Sequence, residues 1–381
     1  MNILQVATLN RPIGLQSRYS PIEAVIYNID RGLSGLRHHS IVACPADSVV
    51  FGEHCITIAK AFTEYWSENK KEQRDEMKKH LLISLERAIR GDIDIIHLHD
   101  ATMLEYIFRG VVTGPVPIVM TLHVPVEEEA AFRKWNKYLK PSAGVFFVPI
   151  SEYQRKQHEG LINLQEVIHH GIDIDDYPFL DSDNREEYFF SLGRITRDKG
   201  QDRAIEIAKR SGLQLIIAGN VQNKEKDRLF FSEISESLDL FADLSTVPVD
   251  KDYFSRVMKP ILDSGKQIIY IGELSDDQKK QWFVHARATL FPIQWGEPFG
   301  LVLIESMACG TPVIALNRGS VPEIVVHGET GFVVNTIEEI VSLTDSISAI
   351  DPRTCRRHVA DHFSIEVMAR KYSRLYHRIR N

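Results

Sequence analysis

The chain has 381 residues, 44% apolar and 25% charged, with a net charge of −7, which is too long for one ordinary core and predicts two domains of roughly 150 to 200 residues. The balance is that of a soluble globular protein and gives no general attraction to nucleic acid. Cys44, Cys55, Cys309 and Cys355 lack metal-like pair spacing, no apolar run reaches the ~18 residues of a membrane span, and no leader pattern opens the chain, so a cytoplasmic protein with reduced thiols is expected.

In the first half, short apolar runs at 3–7, 40–44, 93–98, 117–122, 144–150 and 166–168 alternate with helical stretches, which predicts βα units around a parallel sheet. The charged stretch 64–79 reads as a surface helix or mobile connection. Two strands end in His97-Leu98-His99-Asp100 and Thr121-Leu122-His123. His97 and His99 share one strand face, but no third ligand accompanies them, so no metal site is expected. In 127–139, Phe132, Trp135 and Leu139 fall at helical spacing and read as packing. Ser151 is placed to cap a following helix.

The second half repeats the pattern, with strands expected at 188–192, 214–218, 267–271, 288–293, 312–316 and 332–334. After the first of these comes a loop bounded by Gly193 and Gly200 that carries Arg194 and Lys199. A forked donor and a point charge suit a diphosphate, but the charge pattern alone is weak, because Arg and Lys are common on solvated loops. Gly219-Asn220 and Gly272-Glu273 end the next two strands.

The densest stretch is 287–323. Pro298 bars helix at Glu297 and fits the first turn of a helix over 301–309, which Gly310 and Pro312 stop. Glu297 is therefore expected on the loop at the strand's carboxyl end and Glu305 on the helix's second turn, beside an N-terminus that attracts phosphate. Last, the segment 370–380 sets Arg370, Lys371, Arg374, Arg378 and Arg380 among Tyr372, Leu375 and Ile379. It fits either a helix packed by its apolar side or one in peripheral contact with a membrane.

EPFGLVLIE followed by SMACGTPVIA resembles the E-x7-E signature of the retaining glycosyltransferases of family GT4, and GSVPEIV, G-R-x4-K-G and the H-G-I-D at 170–173 extend the likeness from residue 2 to about 378. The resemblance implies the GT-B fold, two Rossmann-like doubly wound parallel-sheet domains facing a central cleft: 1–170 on the acceptor side, with 364–381 crossing back to it, and 171–363 binding the nucleotide sugar. It implies that Glu297 and His123 contact the donor sugar, that Glu305 holds the ribose, and that Arg194 and Lys199 take the diphosphate. The backbone of Phe299, Gly300 and Leu301 approaches sugar and diphosphate, Gly193 and Asn220 line the nucleotide, and Gly14 belongs to a covering loop with Arg11, Gln16 and Arg18. That loop departs from the pattern, since relatives carry adjacent glycines and this chain has Gly14 ahead of Pro21-Ile22-Glu23. The implied activity is front-face, retaining transfer of a hexose, UDP-linked as is commonest in the family, to an acceptor hydroxyl without metal. A GT-B epimerase or phosphorylase and a non-catalytic nucleotide-sugar sensor are the rival readings. A dinucleotide oxidoreductase is disfavoured, because no G-x-G-x-x-G follows a strand.

Overall fold

The computed structural model describes residues 1–14, 20–62, 70–108, 115–123, 144–180 and 185–380. Gln16 and Arg18 of the first loop, the stretch 127–139 and the start of the charged stretch after Glu64 lie outside the described residues. The chain divides into two units, Met1–Ile172 with Phe363–Asn381, and Asp173–His362.

In the first unit β1 (Asn2–Val6), β2 (His39–Pro45), β3 (Glu53–Ile58), β4 (Ile95–Leu98), β5 (Ile118–Thr121) and β6 (Val145–Val148) form one sheet in the order β3-β2-β1-β4-β5-β6. Every pair is parallel. The central strands are apolar along their length because helices cover both faces. Leu4, Val6, Ile41, Ala43, Ile96 and Leu98 pack with Leu81 and Leu85 of the Lys70–Arg90 helix, while Ala7, Val42 and Cys44 pack with Ile26 of the Pro21–Gly35 helix.

The Ile365–Arg380 helix belongs to this unit although it comes last in sequence. It lies against the Pro21–Gly35 helix at Gly32, where an added Cβ would sit 2.7 Å from both Ala369 Cβ and Ile365 Cγ2, so only glycine permits that approach. Its Tyr372 and Tyr376 are buried and bond to Thr121 Oγ1 and His97 Nδ1, each at 2.8 Å. On its polar side Arg378 pairs with Glu166 at 3.2 Å and Arg380 with Asp94 at 3.0 Å. The apolar side of 370–380 is thus spent on packing within the protein. Among the described residues no helix is long and apolar enough to cross a membrane.

β3 escaped the sequence reading, since most of Glu53–Ile56 at this sheet edge is exposed or half-buried and no continuous apolar run marks it. Conversely, 166–168 is not a strand. The backbone just before it bonds to β6, with Phe147 N–H donating to the Asn163 carbonyl (3.0 Å) and Gln165 N–H to the Phe147 carbonyl (2.8 Å), and makes no extended ladder.

The second unit has seven parallel strands, β7 (Glu186–Leu192), β8 (Gln214–Ala218), β9 (Leu240–Phe241), β10 (Ile268–Tyr270), β11 (Ala286–Phe291), β12 (Val313–Leu316) and β13 (Gly331–Val334). Their order is β13-β12-β11-β7-β8-β10-β9. The two-residue β9 is too short to announce itself in sequence. In each sheet the strand order reverses beside the first strand, at β1/β4 and at β7/β11. Loops at the carboxyl ends of such strands are where open α/β sheets bind ligands.

Candidate active site

At the reversal point of the second unit, the loops after β7 and β11 converge. Gly193 N–H donates to the Ala218 carbonyl (3.1 Å) and Ile195 N–H to the Asn220 carbonyl (2.9 Å), which ties the loops after β7 and β8 together. A single 3-10 turn, Arg197–Lys199, then ends at Gly200 in the left-handed region. This turn delivers Lys199 to Glu297: Nζ lies 2.6 Å from Oε2, and both side chains are about one-tenth exposed. Trp295 Nε1–H donates to the same carboxylate oxygen at 3.1 Å, and the Lys199 ammonium stands 5.3 Å from the Trp295 ring.

The Glu297 loop is braced from behind. Gln294 N–H donates to the Asp198 carbonyl, Ser320 N–H to the Glu297 carbonyl and Ser320 Oγ–H to the Phe299 carbonyl, each at 2.9 Å. Gly319, at φ 60°, presses on this backbone: a Cβ there would sit 2.3 Å from Glu297 N and O. Gly319→Ala is therefore expected to cost more than the ~1 kcal/mol of left-handed strain alone and to shift Glu297. A urea midpoint equal to that of the wild type would contradict this.

The helix that carries Glu305 is Leu301–Ala308, with Gly300 at its N-cap at φ 81°. Pro298 lies outside it, contrary to the expectation that proline occupies the first turn; left-handed Gly300 redirects the chain and sets the start at Leu301. Phe299 is buried, and Glu305 is 9% exposed. Glu305 Oε1 meets Lys279 Nζ at 2.7 Å, and the same ammonium meets Asp276 Oδ1 at 2.9 Å. Burial alone would lower the Lys279 pKa, but the two carboxylates outweigh it and hold it above the ordinary lysine range.

Arg194 and Asn220 flank this region. The Arg194 guanidinium reaches Gln222 Oε1 only at 3.4 Å, and its Nε and the Asn220 Oδ1 are buried with no hydrogen-bond partner. A buried donor and a buried acceptor left this way befit a surface made for a polar ligand.

His123 and Gly14 belong to the first unit. Gly14 follows β1 at φ 137°, beside Ile13, whose carbonyl accepts from Val49 N–H (2.9 Å). His123, at the end of β5, sets Nε2 3.0 Å from His99 Nδ1, and burial pushes its pKa down to about 3. Asp100 Oδ1 accepts from Thr102 N–H and Oγ1–H. Among the described residues no group of three or more His, Cys, Asp or Glu is placed to hold a metal ion. Ser151 caps the Glu152–His158 helix by accepting from Gln154 N–H at 3.0 Å.

The structure thus brings Lys199 onto Glu297 and sets Phe299, Gly300, Leu301 and Glu305 along one loop and helix. Trp295 and Lys279 were not anticipated. Asp276 and Lys279, three apart on a helix, announce their own pair, but nothing local announces that Lys279 reaches Glu305, 26 positions on.

The family model described as "Glycosyl transferases group 1" matches residues 175–350, and "Glycosyltransferase Family 4" matches 22–176. The chain is 29% identical over 131 residues to an uncharacterised 41.2 kDa protein in the cps region of Klebsiella pneumoniae, covering 33% of this chain and 35% of that one. It is 23% identical over 251 residues to a phosphatidyl-myo-inositol mannosyltransferase of Mycolicibacterium smegmatis, covering 64% of this chain and 58% of that one. These matches therefore span about a third and somewhat over half of the relatives' lengths. Anabaena Alr3699/HepE, solved in complex with UDP and glucose, shares the fold with a TM-score of 0.70 at 16% identity, over 99% of this chain and 100% of that one. Taken with the two doubly wound sheets, the paired family matches mean that this chain belongs to the GT4-type glycosyltransferases of GT-B fold.

Proposed function

We propose that the protein transfers a hexose from a UDP-sugar to an acceptor hydroxyl with retention at the anomeric carbon. The observation that carries this reading is the Lys199–Glu297 pair set beside the Gly300-capped helix that also bears Glu305. A cation, a helix N-terminus and two carboxylates in that arrangement match a diphosphate flanked by a sugar on one side and a ribose on the other. Alr3699/HepE, crystallised with UDP and glucose, supports UDP as the nucleotide, and the mannosyltransferase relative supports a hexose.

In this mechanism Arg194, Lys199 and the N–H groups of Phe299, Gly300 and Leu301 stabilise the departing diphosphate, with Gly193 and Asn220 lining the nucleotide. Arg194 and Lys199 supply positive charge themselves, so the proposal asks for no metal. An oxygen of the leaving diphosphate takes the proton of the acceptor hydroxyl as that hydroxyl attacks the anomeric carbon from the same face. Glu297 and His123 hold the sugar hydroxyls, Glu305 the ribose, and Gly14 belongs to the covering loop. Lys199 must exchange part of its bond to Glu297 for phosphate oxygens, which frees a Glu297 oxygen for the sugar.

A thermal-shift panel of UDP, GDP, ADP and their sugar conjugates tests this. A ligand at a hundred times its Kd stabilises the native state by about 2.7 kcal/mol. UDP and a UDP-hexose are expected to raise the melting temperature of the wild type and not that of Glu305→Ala, each compared with its own ligand-free state. A shift with GDP alone would overturn the base, and an undiminished shift in Glu305→Ala would overturn the ribose role.

A further inference from the structure

Glu305 is the one charged side chain of the Leu301–Ala308 helix, and its two oxygens are not equivalent. Oε1 is taken by Lys279 Nζ at 2.7 Å, while Oε2 makes no hydrogen bond among the described residues and the side chain keeps 11% of its surface open. One oxygen is spent and the other is available.

Lys279 is itself held from behind. Its ammonium meets Asp276 Oδ1 at 2.9 Å, and Asp276 Oδ2 is in turn held by Lys280, whose ammonium stands 5.0 Å from the centre of the Tyr177 ring. The helix Asp276–His285 that carries all three is anchored at its start. Ser275 Oγ accepts from Gln278 N–H, and Gln278 Oε1 accepts from Ser275 N–H at 2.7 Å. Gln278 Nε2–H then donates to the Leu244 and Val247 carbonyls at 2.6 and 2.7 Å. A helix end capped and tethered in this way leaves the ammonium little freedom.

Two cations and two carboxylates balance in charge, yet Asp276 already has Lys280 as a partner. Stability alone gives no reason to add Lys279 and Glu305, because a buried ion pair is often no better than apolar side chains of similar volume. What the pair does supply is an orientation. A carboxylate pinned at Oε1 presents only Oε2, a charged acceptor, to a neutral hydroxyl.

We propose that Lys279 is a positioning residue that pins Glu305 through Oε1 and so aims Oε2 at the ribose hydroxyls of the nucleotide. This role rests on the reading of Glu305 as the ribose contact, which Glu305→Ala tests separately.

Calorimetric titration of the full chain with UDP and with 2′,3′-dideoxy-UDP measures what the ribose hydroxyls contribute. Wild type is expected to prefer UDP by about 10- to 100-fold, the range for hydrogen bonds to a charged group. Lys279→Met and Glu305→Ala are each expected to bind the two nucleotides within about threefold of one another, since in neither is a charged oxygen held toward the ribose. Should Lys279→Met not fold, Lys279→Gln carries the comparison with the same expectation, its amide being uncharged and one bond short of the ammonium.

A purely structural role, or a direct contact of Lys279 with phosphate, would instead weaken both nucleotides by the same factor and leave the preference intact. A preference lost in Glu305→Ala but kept in the Lys279 variant therefore overturns the role of Lys279 alone. A preference that survives Glu305→Ala, or is missing from the wild type, overturns the ribose reading and the role of Lys279 with it.

Discussion

Replacing Lys199 by methionine is expected to lower turnover about 10²- to 10³-fold, the usual consequence of removing one donor aimed at charge that develops in the transition state. It also removes the cation held 2.6 Å from the nearly buried Glu297 carboxylate. Breaking a fully buried pair costs about 3–5 kcal/mol. Here the cost is expected nearer ~2 kcal/mol, because Trp295 keeps its hydrogen bond to the carboxylate and a tenth of each side chain meets solvent. Adding Glu297→Gln removes the stranded charge, so the double variant should regain most of the stability and none of the turnover. Urea midpoints and kcat/KM on the two single variants and the double separate the effects. Near-native turnover in Lys199→Met, or turnover recovered in the double variant, would show that the pair serves folding alone.

Lowering the pH from 7 to about 5 is expected to weaken the first unit sharply. Burial pushes His80 down to about 4 and His97 and His123 to about 3, and lowers His99 and His170 well below the ordinary value of 6.5. Between 6.5 and those values the unfolded chain binds protons that the folded one refuses, so the stability present above pH 6.5 is lost as pH falls toward the folded pKa. For the fully buried His80 and His97 the loss by about pH 5 is roughly 2 kcal/mol each. Together that is a large share of a typical margin of about 5–15 kcal/mol. Glu23 and Asp100, whose pKa values burial raises, oppose the trend only at the acid end, above the ordinary carboxylate values. Amide protection of β1, β4 and β5 measured at the two pH values checks this, and protection independent of pH would refute it.

Much of the fold was legible because strands such as Ile268–Tyr270 and Val313–Leu316 are buried on both faces and read as unbroken apolar runs. What escaped lacks that contrast, as with half-exposed β3 and two-residue β9. Glu297 and Glu305 stood out through the E-x7-E likeness, and Arg194 and Lys199 through G-R-x4-K-G, since two cations on a glycine-bounded loop do not by themselves mark a site. Their partners did not stand out. Lys199 meets Glu297 across 98 positions and Tyr376 meets His97 across 279, and such distances leave no periodic trace in a chain. The helix starts at Leu301 as its sequence suggests, but Pro298 lies outside its first turn, because the left-handed turn at Gly300 decides the boundary.

The first unit is discontinuous, and this has a consequence for how the chain matures. The second unit is one contiguous stretch, Asp173–His362, whereas the first lacks its closing helix until the residues after Phe363 have emerged. Until then the Gly32 face of the Pro21–Gly35 helix is uncovered, and His97 and Thr121 lack their tyrosines. The half synthesised first is thus the half completed last, so a premature stop within the final helix would injure the amino-terminal unit and leave the carboxy-terminal one whole.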